Sequence, residues 1–203
     1  MGREQHWGEV YRTKAPDSVS WFQPTPQPSL DALDRFHVSH TAAFIDFGGG
    51  ASLLVDALVQ RGWADLTMLD IAAPALEVAQ ARLGADGAKV HWEVADIESW
   101  RPRRKYDVWH DRAVFHFLTE DAQRAGYRRA LDEGLAPDGL VIIATFALDG
   151  PERCSGLPVQ RYDAAALAEA LGHGFVPVED WRETHVTPGG NTQSFTWCVF
   201  RRA

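Results

Sequence analysis

The sequence predicts an α/β fold, a doubly wound and mostly parallel sheet with helices on both faces. Three observations carry this. Short apolar runs recur through most of the 203 residues, and most are followed by a stretch with helical periodicity. The first run leads into FIDFGGGAS, residues 44–52, three consecutive glycines at a strand-to-helix turn. The last two strand candidates, 175–184 and 193–201, are separated by the turn-like TPGGN, with no room for a crossover helix, so they pair antiparallel.

Taken in order, Glu4 to Tyr11 suits a short helix. KAPDSVSWFQPTPQPS (14–29) carries Pro16, Pro24, Pro26 and Pro28 and reads as an extended connector. Ser29 is placed to cap a helix whose apolar face is Leu30, Leu33 and Phe36. AAFIDF (42–47) is the first strand, and Leu53, Leu54, Ala57 and Leu58 mark the buried side of the next helix. DLTMLD (65–70) is the second strand; Leu76, Ala79, Gln80 and Leu83 outline a helix that stops near Gly84. KVHWEVAD (89–96) and KYDVWHD (105–111) are strands three and four. A long helix runs from a Thr119 cap to about Gly134, and DGLVIIATFA (138–147) is the most apolar strand. A helix capped by Asp163 and closed by Gly172 precedes the terminal hairpin.

A chain of this length with 45% hydrophobic residues fills one core, so a single domain is expected. The net charge of -8 argues against nucleic acid as the main partner, and the basic run Arg101, Arg103, Arg104 and Lys105 reads as a solvated surface loop. Cys154 and Cys198 are the only cysteines, which gives no disulfide framework and fits a reducing, cytoplasmic setting. The eight histidines show no tight ligand spacing, so no metal site is expected. The N-terminus lacks an apolar signal core and no run approaches the ~18 apolar residues of a membrane span; a soluble protein without a membrane partner is expected.

The chemistry concentrates at the strand ends. From Gly48 the sequence reads G-G-G-A-S-L, with Leu53 where a dinucleotide fingerprint has its third glycine. Asp46 lies two residues before the glycines, a position suited to an ammonium or other cation and unsuited to a pyrophosphate. Asp70 ends strand two, where an acid accepts hydrogen bonds from ribose hydroxyls. Asp96 ends strand three, and with Ile97 it can bracket a purine ring. Three acids at successive strand ends describe a nucleoside site without phosphates.

FIDFGGGAS, LTMLDIA, EVADIESW, YDVWHDRAVFHFL and LAPDGLVIIATF resemble the successive motifs of the class I S-adenosylmethionine-dependent methyltransferases, over about residues 42–148. The resemblance implies a Rossmann-like, seven-stranded sheet with an antiparallel last strand. It implies S-adenosyl-L-methionine as cofactor, with Gly48, Gly49 and Gly50 beside its methionyl part, Asp70 and Ile71 at the ribose, and Asp96 with Ile97 at the adenine. Ser52 replaces a glycine of the D-x-G-x-G-x-G pattern. HWGEVYRTKAPDSVSWFQ, HDRAVFHFLT and FALDGPERCSGLPVQRYD are similar to a narrower group of small bacterial methyltransferases. Its eukaryotic kin include protein-lysine methyltransferases, and its bacterial relatives include enzymes acting on thiols and chalcogen compounds. Residues 1–41 are then helices and an arm closing the cofactor site, and 42–203 the Rossmann-like core.

Trp21 and Phe22 lie in the connector, where a core helix does not account for them; they either face the sulfonium as a cation–π roof or dock the arm. His110, Asp111 and Arg112 follow strand four, the position from which this class reaches the methionine amine and the acceptor, and are the catalytic candidates. Asp111 is the choice for the methionine end, and His110 or His116 for a base. His116 taken alone is better explained as packing among Phe115, Phe117 and Leu118. Cys154 is either a soft contact for a thiophilic acceptor or an inert small hydrophobe. Arg161 and Tyr162 line an acceptor pocket or serve packing and surface equally well. A small-molecule acceptor, thiol, chalcogen or other soft nucleophile, is the expected partner; a protein lysine is the alternative, and a cofactor-binding module without catalysis follows.

Overall fold

The computed structural model describes residues 2–203. Two helices, α1 (Arg3–Thr13) and α2 (Gln27–Arg35), precede the sheet. Then come β1 (Phe44–Phe47), α3 (Leu54–Gln60), β2 (Leu66–Asp70), α4 (Ala73–Leu83), β3 (Val90–Val94) and β4 (Tyr106–Arg112). The chain continues through α5 (Asp121–Gly134), β5 (Leu135–Phe146), the short pair β6 (Arg153–Cys154) and β7 (Leu157–Pro158), α6 (Ala164–Leu171), β8 (Phe175–Val186) and β9 (Thr192–Arg202). The seven-stranded sheet has the order β3-β2-β1-β4-β5-β9-β8. β1 to β5 are mutually parallel, and β9 runs antiparallel between β5 and β8. The predicted terminal hairpin is present, at the edge beyond β5.

Strand alternation divides the core into two layers. Phe44, Met68, Val108, Ile142 and Trp197 face α2, α3 and α4. Ile45, Leu69, Trp109, Ile143 and Cys198 face α5 and α6. The order reverses between β1 and β4, so the loops after their C-terminal ends frame a crevice, where ligands bind in open α/β sheets.

The helix starts differ from expectation in two places. α2 begins at Gln27 behind Pro26, so Ser29 lies inside the helix and is buried. A proline in the first turn supplies the start that a capping hydroxyl would have given. α5 is capped by Glu120, whose side chain and Gln123 form a reciprocal capping box, so Thr119 lies outside it. The Asp163 cap is present, its side chain accepting from the Ala166 amide, and the helix closes at Gly172.

Candidate cofactor and acceptor site

The glycine turn is shaped by contacts on all sides. Gly48 has φ +62°, and a Cβ there would lie 2.1 Å from Cγ2 of Val114. Gly49 is pressed against Met68 and the Asp46 carboxylate, its hypothetical Cβ 2.1 Å from Met68 Cε. Neither position has room for a side chain, and Gly48 also needs the left-handed backbone that L residues disfavour. Arg82 of α4 fixes the outer side of the loop: it donates to the carbonyls of Ala51 and Ser52 and pairs with Asp56. The Ser52 hydroxyl accepts from the Leu54 amide at 3.1 Å, so this departure from the glycine pattern serves the start of α3.

Asp46 and His110 are neighbours in register on β1 and β4, on the same face of the sheet. His110 Nδ1 lies 2.6 Å from Asp46 Oδ1, and His110 Nε2 lies 3.0 Å from the Ser29 hydroxyl. The buried carboxylate thus has its donor, and both imidazole nitrogens are occupied. His110, a candidate base, therefore has both ring nitrogens in contact with protein side chains.

Two cavities open at the ends of the strands. The larger encloses about 780 Å3, open solvent at its mouth included, within the range of small-molecule sites. Asp70, Ile71, Asp96 and Ile97 line it, with Leu69 and Val114 adding apolar surface. Asp46, Gly49, Phe22 and His110 line the smaller one, and Trp21, Phe47, Gly48 and Arg112 border both. Burial pushes the Asp70 carboxyl up to about 7, the neighbouring Asp46 charge adding to this and the Ala72 amide opposing it. Gly50, at φ +45°, lies against Asp70.

The roof comes from α1, in the N-terminal segment expected to close the site, although none of its residues was singled out from the sequence. Arg3, Trp7 and Tyr11 recur every four residues and form one stripe facing the larger cavity. Arg3 donates to both oxygens of Asp96 at 3.0 Å and pairs with Glu98. Trp7 packs edge-on to Phe117 and Trp21, centroids 5.1 and 5.6 Å apart. Tyr11 reaches Gly50 and Asp70; burial and the Asp70 charge hold its phenol protonated. The i, i+4, i+8 spacing of Arg, Trp and Tyr was the signal available in the sequence.

The remaining candidates divide. Arg112 and Cys154 line the larger cavity. Cys154 is buried, and burial pushes its thiol up to about 11, so it is neutral. Asp111 lines neither cavity: alternation turns it to the opposite face, where Oδ1 accepts from the Val114 and Phe115 amides at 2.9 and 3.3 Å. Burial raises its carboxyl to about 6. His116 is fully buried against Phe117 and Phe146, with Nδ1 accepting from the Phe146 amide. Desolvation, then the Arg112 charge, lowers its pKa to about 3, so it is neutral and belongs to the core. Arg161 holds the loop after β5 through the Gly150 carbonyl and Glu152 and borders neither cavity.

The sheet order, the inserted antiparallel β9, the glycine turn at the switch point and the acids ending β2 and β3 define the class: the class I fold of the S-adenosylmethionine-dependent methyltransferases. Residues 44–139, just under half of the chain, match the methyltransferase domain family. It is 36% identical over 117 residues to a ribosomal RNA small subunit methyltransferase H from Synechococcus sp. (strain JA-3-3Ab), covering 55% of this chain and 31% of that protein. It is 24% identical over 160 residues to EEF1A lysine methyltransferase 2 from Danio rerio, covering 71% of this chain and 69% of that one. The chain thus spans about a third of the first relative's length and about two thirds of the second's. Among solved structures, one determined for the conversion of a disulfide bond into a thioacetal group during echinomycin biosynthesis shares the fold, with a TM-score of 0.78 and 23% identity, covering 98% of this chain and 92% of that chain.

S-adenosyl-L-methionine is the cofactor of this class. The residues present fit it: the larger cavity is apolar between two carboxylates, and the absent side chain at Gly48 brings backbone to its wall.

Proposed function

We propose that the protein is an S-adenosylmethionine-dependent methyltransferase acting on a small-molecule acceptor with a soft or otherwise anionic nucleophile. The observation that carries this is the roofed cavity, in which Asp70 and Asp96 line the floor and α1 with Trp21 covers them. Asp70 would accept from the ribose hydroxyls and Asp96, beside Ile97, from the adenine amine, while Asp46, oriented by His110, would face the methionyl ammonium. Bound there, the cofactor supplies an electrophilic methyl group on a sulfonium.

The chain's own contribution is alignment and exclusion of water. Trp7, Trp21 and Phe117 close the chamber with aromatic faces, a suitable lining for a cationic sulfonium. Proton removal has little support. His110 has both nitrogens engaged, His116 is held neutral in the core, and Asp111 is spent on backbone amides. An acceptor that ionises by itself near neutral pH, such as a thiol, fits this lining better than an amine.

The likeness to a lysine methyltransferase over 71% of this chain favours a protein lysine as the second reading. The roof of α1 and the absence of an available base weigh against it. The test is thermal shift and calorimetric titration with S-adenosylhomocysteine, followed by turnover of S-adenosylmethionine with thiols, sulfide, selenide, amines and a cell lysate. Stabilisation by NADH and not by the methyl donor or its product would overturn the methyltransferase reading. Labelled protein bands without small-molecule turnover would replace the small acceptor with a protein.

A further inference from the structure

Arg112 ends β4 at the border of both cavities, with more hydrogen-bonding capacity than the protein uses. We propose that its guanidinium anchors an anionic group on the methyl acceptor, a carboxylate, phosphonate or similar oxyanion; this rests on the methyltransferase reading above.

The side chain is one-tenth exposed, and among the described residues its Nε and Nη2 have no hydrogen-bond partner. Nη1 donates to the Trp21 carbonyl at 3.3 Å. A guanidinium has five N–H donors in a fixed fork, and burying them unpaired is unfavourable unless an acceptor arrives. Glu183 is the nearest acid, but its Oε1 lies 3.7 Å from Nη2, beyond hydrogen-bonding distance. That carboxylate already accepts from Trp197 Nε1 at 2.5 Å and Gln23 Nε2 at 3.2 Å. Glu183 therefore balances the charge of Arg112 and leaves its fork open.

The other facing groups leave this role vacant. Asp46 is held by His110, His185 Nε2 is engaged with the Ser20 carbonyl, and the Cys154 thiol is neutral. The direction of Arg112 assigns it to the acceptor. Its Cζ stands 4.6 Å from the centroid of Phe195 on β9, and its charge partner is on β8, away from β1 and β2. The next residue, Ala113, holds φ +72°, with its amide bonded to the Ala144 carbonyl at 2.8 Å, a local strain located where the chain leaves β4 for the cavity wall. With Arg112 and Glu183 neutral as a pair, the negative charge of an acceptor is offset by the sulfonium it meets. A planar fork matched to two oxygens is the geometry that selects an oxyanion over an uncharged analogue.

The test titrates the S-adenosylhomocysteine complex of the wild type with 3-mercaptopropionate and 3-mercaptopropanol, thiols of equal length that differ in the anionic end. The acid is expected to bind at least about tenfold more tightly, and Arg112→Met to erase that difference while S-adenosylhomocysteine affinity stays within about threefold. Equal affinity for the two thiols, no binding of the acid, or a preference that survives Arg112→Met overturns the proposal. A tenfold loss of S-adenosylhomocysteine affinity in Arg112→Met with the preference intact would assign the guanidinium to the cofactor's own carboxylate instead. Should Arg112→Met not fold, the wild-type pair still decides, and Arg112→Lys, which keeps charge without the fork, is expected to lose most of the discrimination. Failure of the wild type to bind S-adenosylhomocysteine at all would overturn the methyltransferase reading together with this one; indifference to the anion with S-adenosylhomocysteine bound overturns this one alone.

Discussion

Asp46 Oδ1 and His110 Nδ1 lie 2.6 Å apart across adjacent parallel strands, with the far side of the ring on the Ser29 hydroxyl. This chain of three buried polar side chains connects α2 to the floor of the smaller cavity and fixes which way the Asp46 carboxylate points. Ser29 is buried inside α2, and with Asp46 and His110 it lines the smaller cavity.

His110→Ala strands the Asp46 carboxylate in the interior, and breaking such a buried pair costs about 3 kcal/mol or more. S-adenosylhomocysteine affinity should fall about tenfold with it, because the carboxylate loses its orientation. Ser29→Ala removes the outer hydrogen bond alone and should cost about 1 kcal/mol with affinity nearly unchanged. Urea unfolding and calorimetric titration measure the two effects separately. A His110→Ala protein that loses stability yet binds normally would show that Asp46 does not serve the ligand.

Gly48→Ala encounters two separable obstacles, the left-handed backbone at φ +62° and the methyl group of Val114 2.1 Å away. The backbone part alone costs about 1 kcal/mol or more in an L residue. Adding Val114→Ala opens the space and should recover part of the lost stability, leaving the backbone part and the cofactor-affinity defect. Melting temperatures of the two single variants and the double variant form a cycle, and a cycle with no coupling would mean that the loop relaxes away from Val114.

The strands and the acids that end them were legible in the sequence because apolar runs of strand length stop at charged residues, and Asp70 and Asp96 do line one cavity. His110, Asp111 and Arg112 were harder to divide. The strand extends through Arg112, so alternation puts His110 on the Asp46 face and Asp111 on the face of Ile45 and Phe47. Ser29 was read as a cap because its hydroxyl precedes an apolar periodic stretch; Pro26 starts the helix earlier, and the hydroxyl is turned beneath the sheet.

Asp70 makes cofactor binding depend on pH. Its carboxyl titrates near 7 in the free site, raised chiefly by burial, whereas ribose hydroxyls donate to the ionised form. Binding therefore releases a proton below that pKa, and affinity rises with pH until the carboxyl is ionised. Between pH 8 and pH 6 S-adenosylhomocysteine should lose about tenfold in affinity, the linkage expected for one group. The effect on folding has the opposite sense. A carboxyl raised above its ordinary value favours the folded state where it is protonated, so this contribution declines as pH rises from about 4 towards 7. Asp70→Asn should flatten the binding profile; an unchanged slope in that variant would place the titrating group elsewhere.

Arg3 joins α1 to Asp96 and Glu98, so it spans the mouth of the larger cavity at the end where the adenine is expected. The three side chains keep about a quarter to a third of their surface exposed, and such an ion pair contributes about 1 kcal/mol or less to stability. Its larger effect falls on the roof, because Trp7 and Tyr11 stand on the same stripe of α1 and reach the cavity only while the helix is docked. Arg3→Ala should leave the unfolding midpoint within a few degrees of wild type and increase the dissociation rate of S-adenosylhomocysteine several-fold. High salt should weaken retention in the wild type and have little further effect in the variant, since it screens the contact that Arg3 makes. Stopped-flow fluorescence suits the measurement, with Trp7 and Trp21 in the cavity wall as reporters. Equal dissociation rates in the two proteins would mean that α1 stays docked through its aromatic contacts alone.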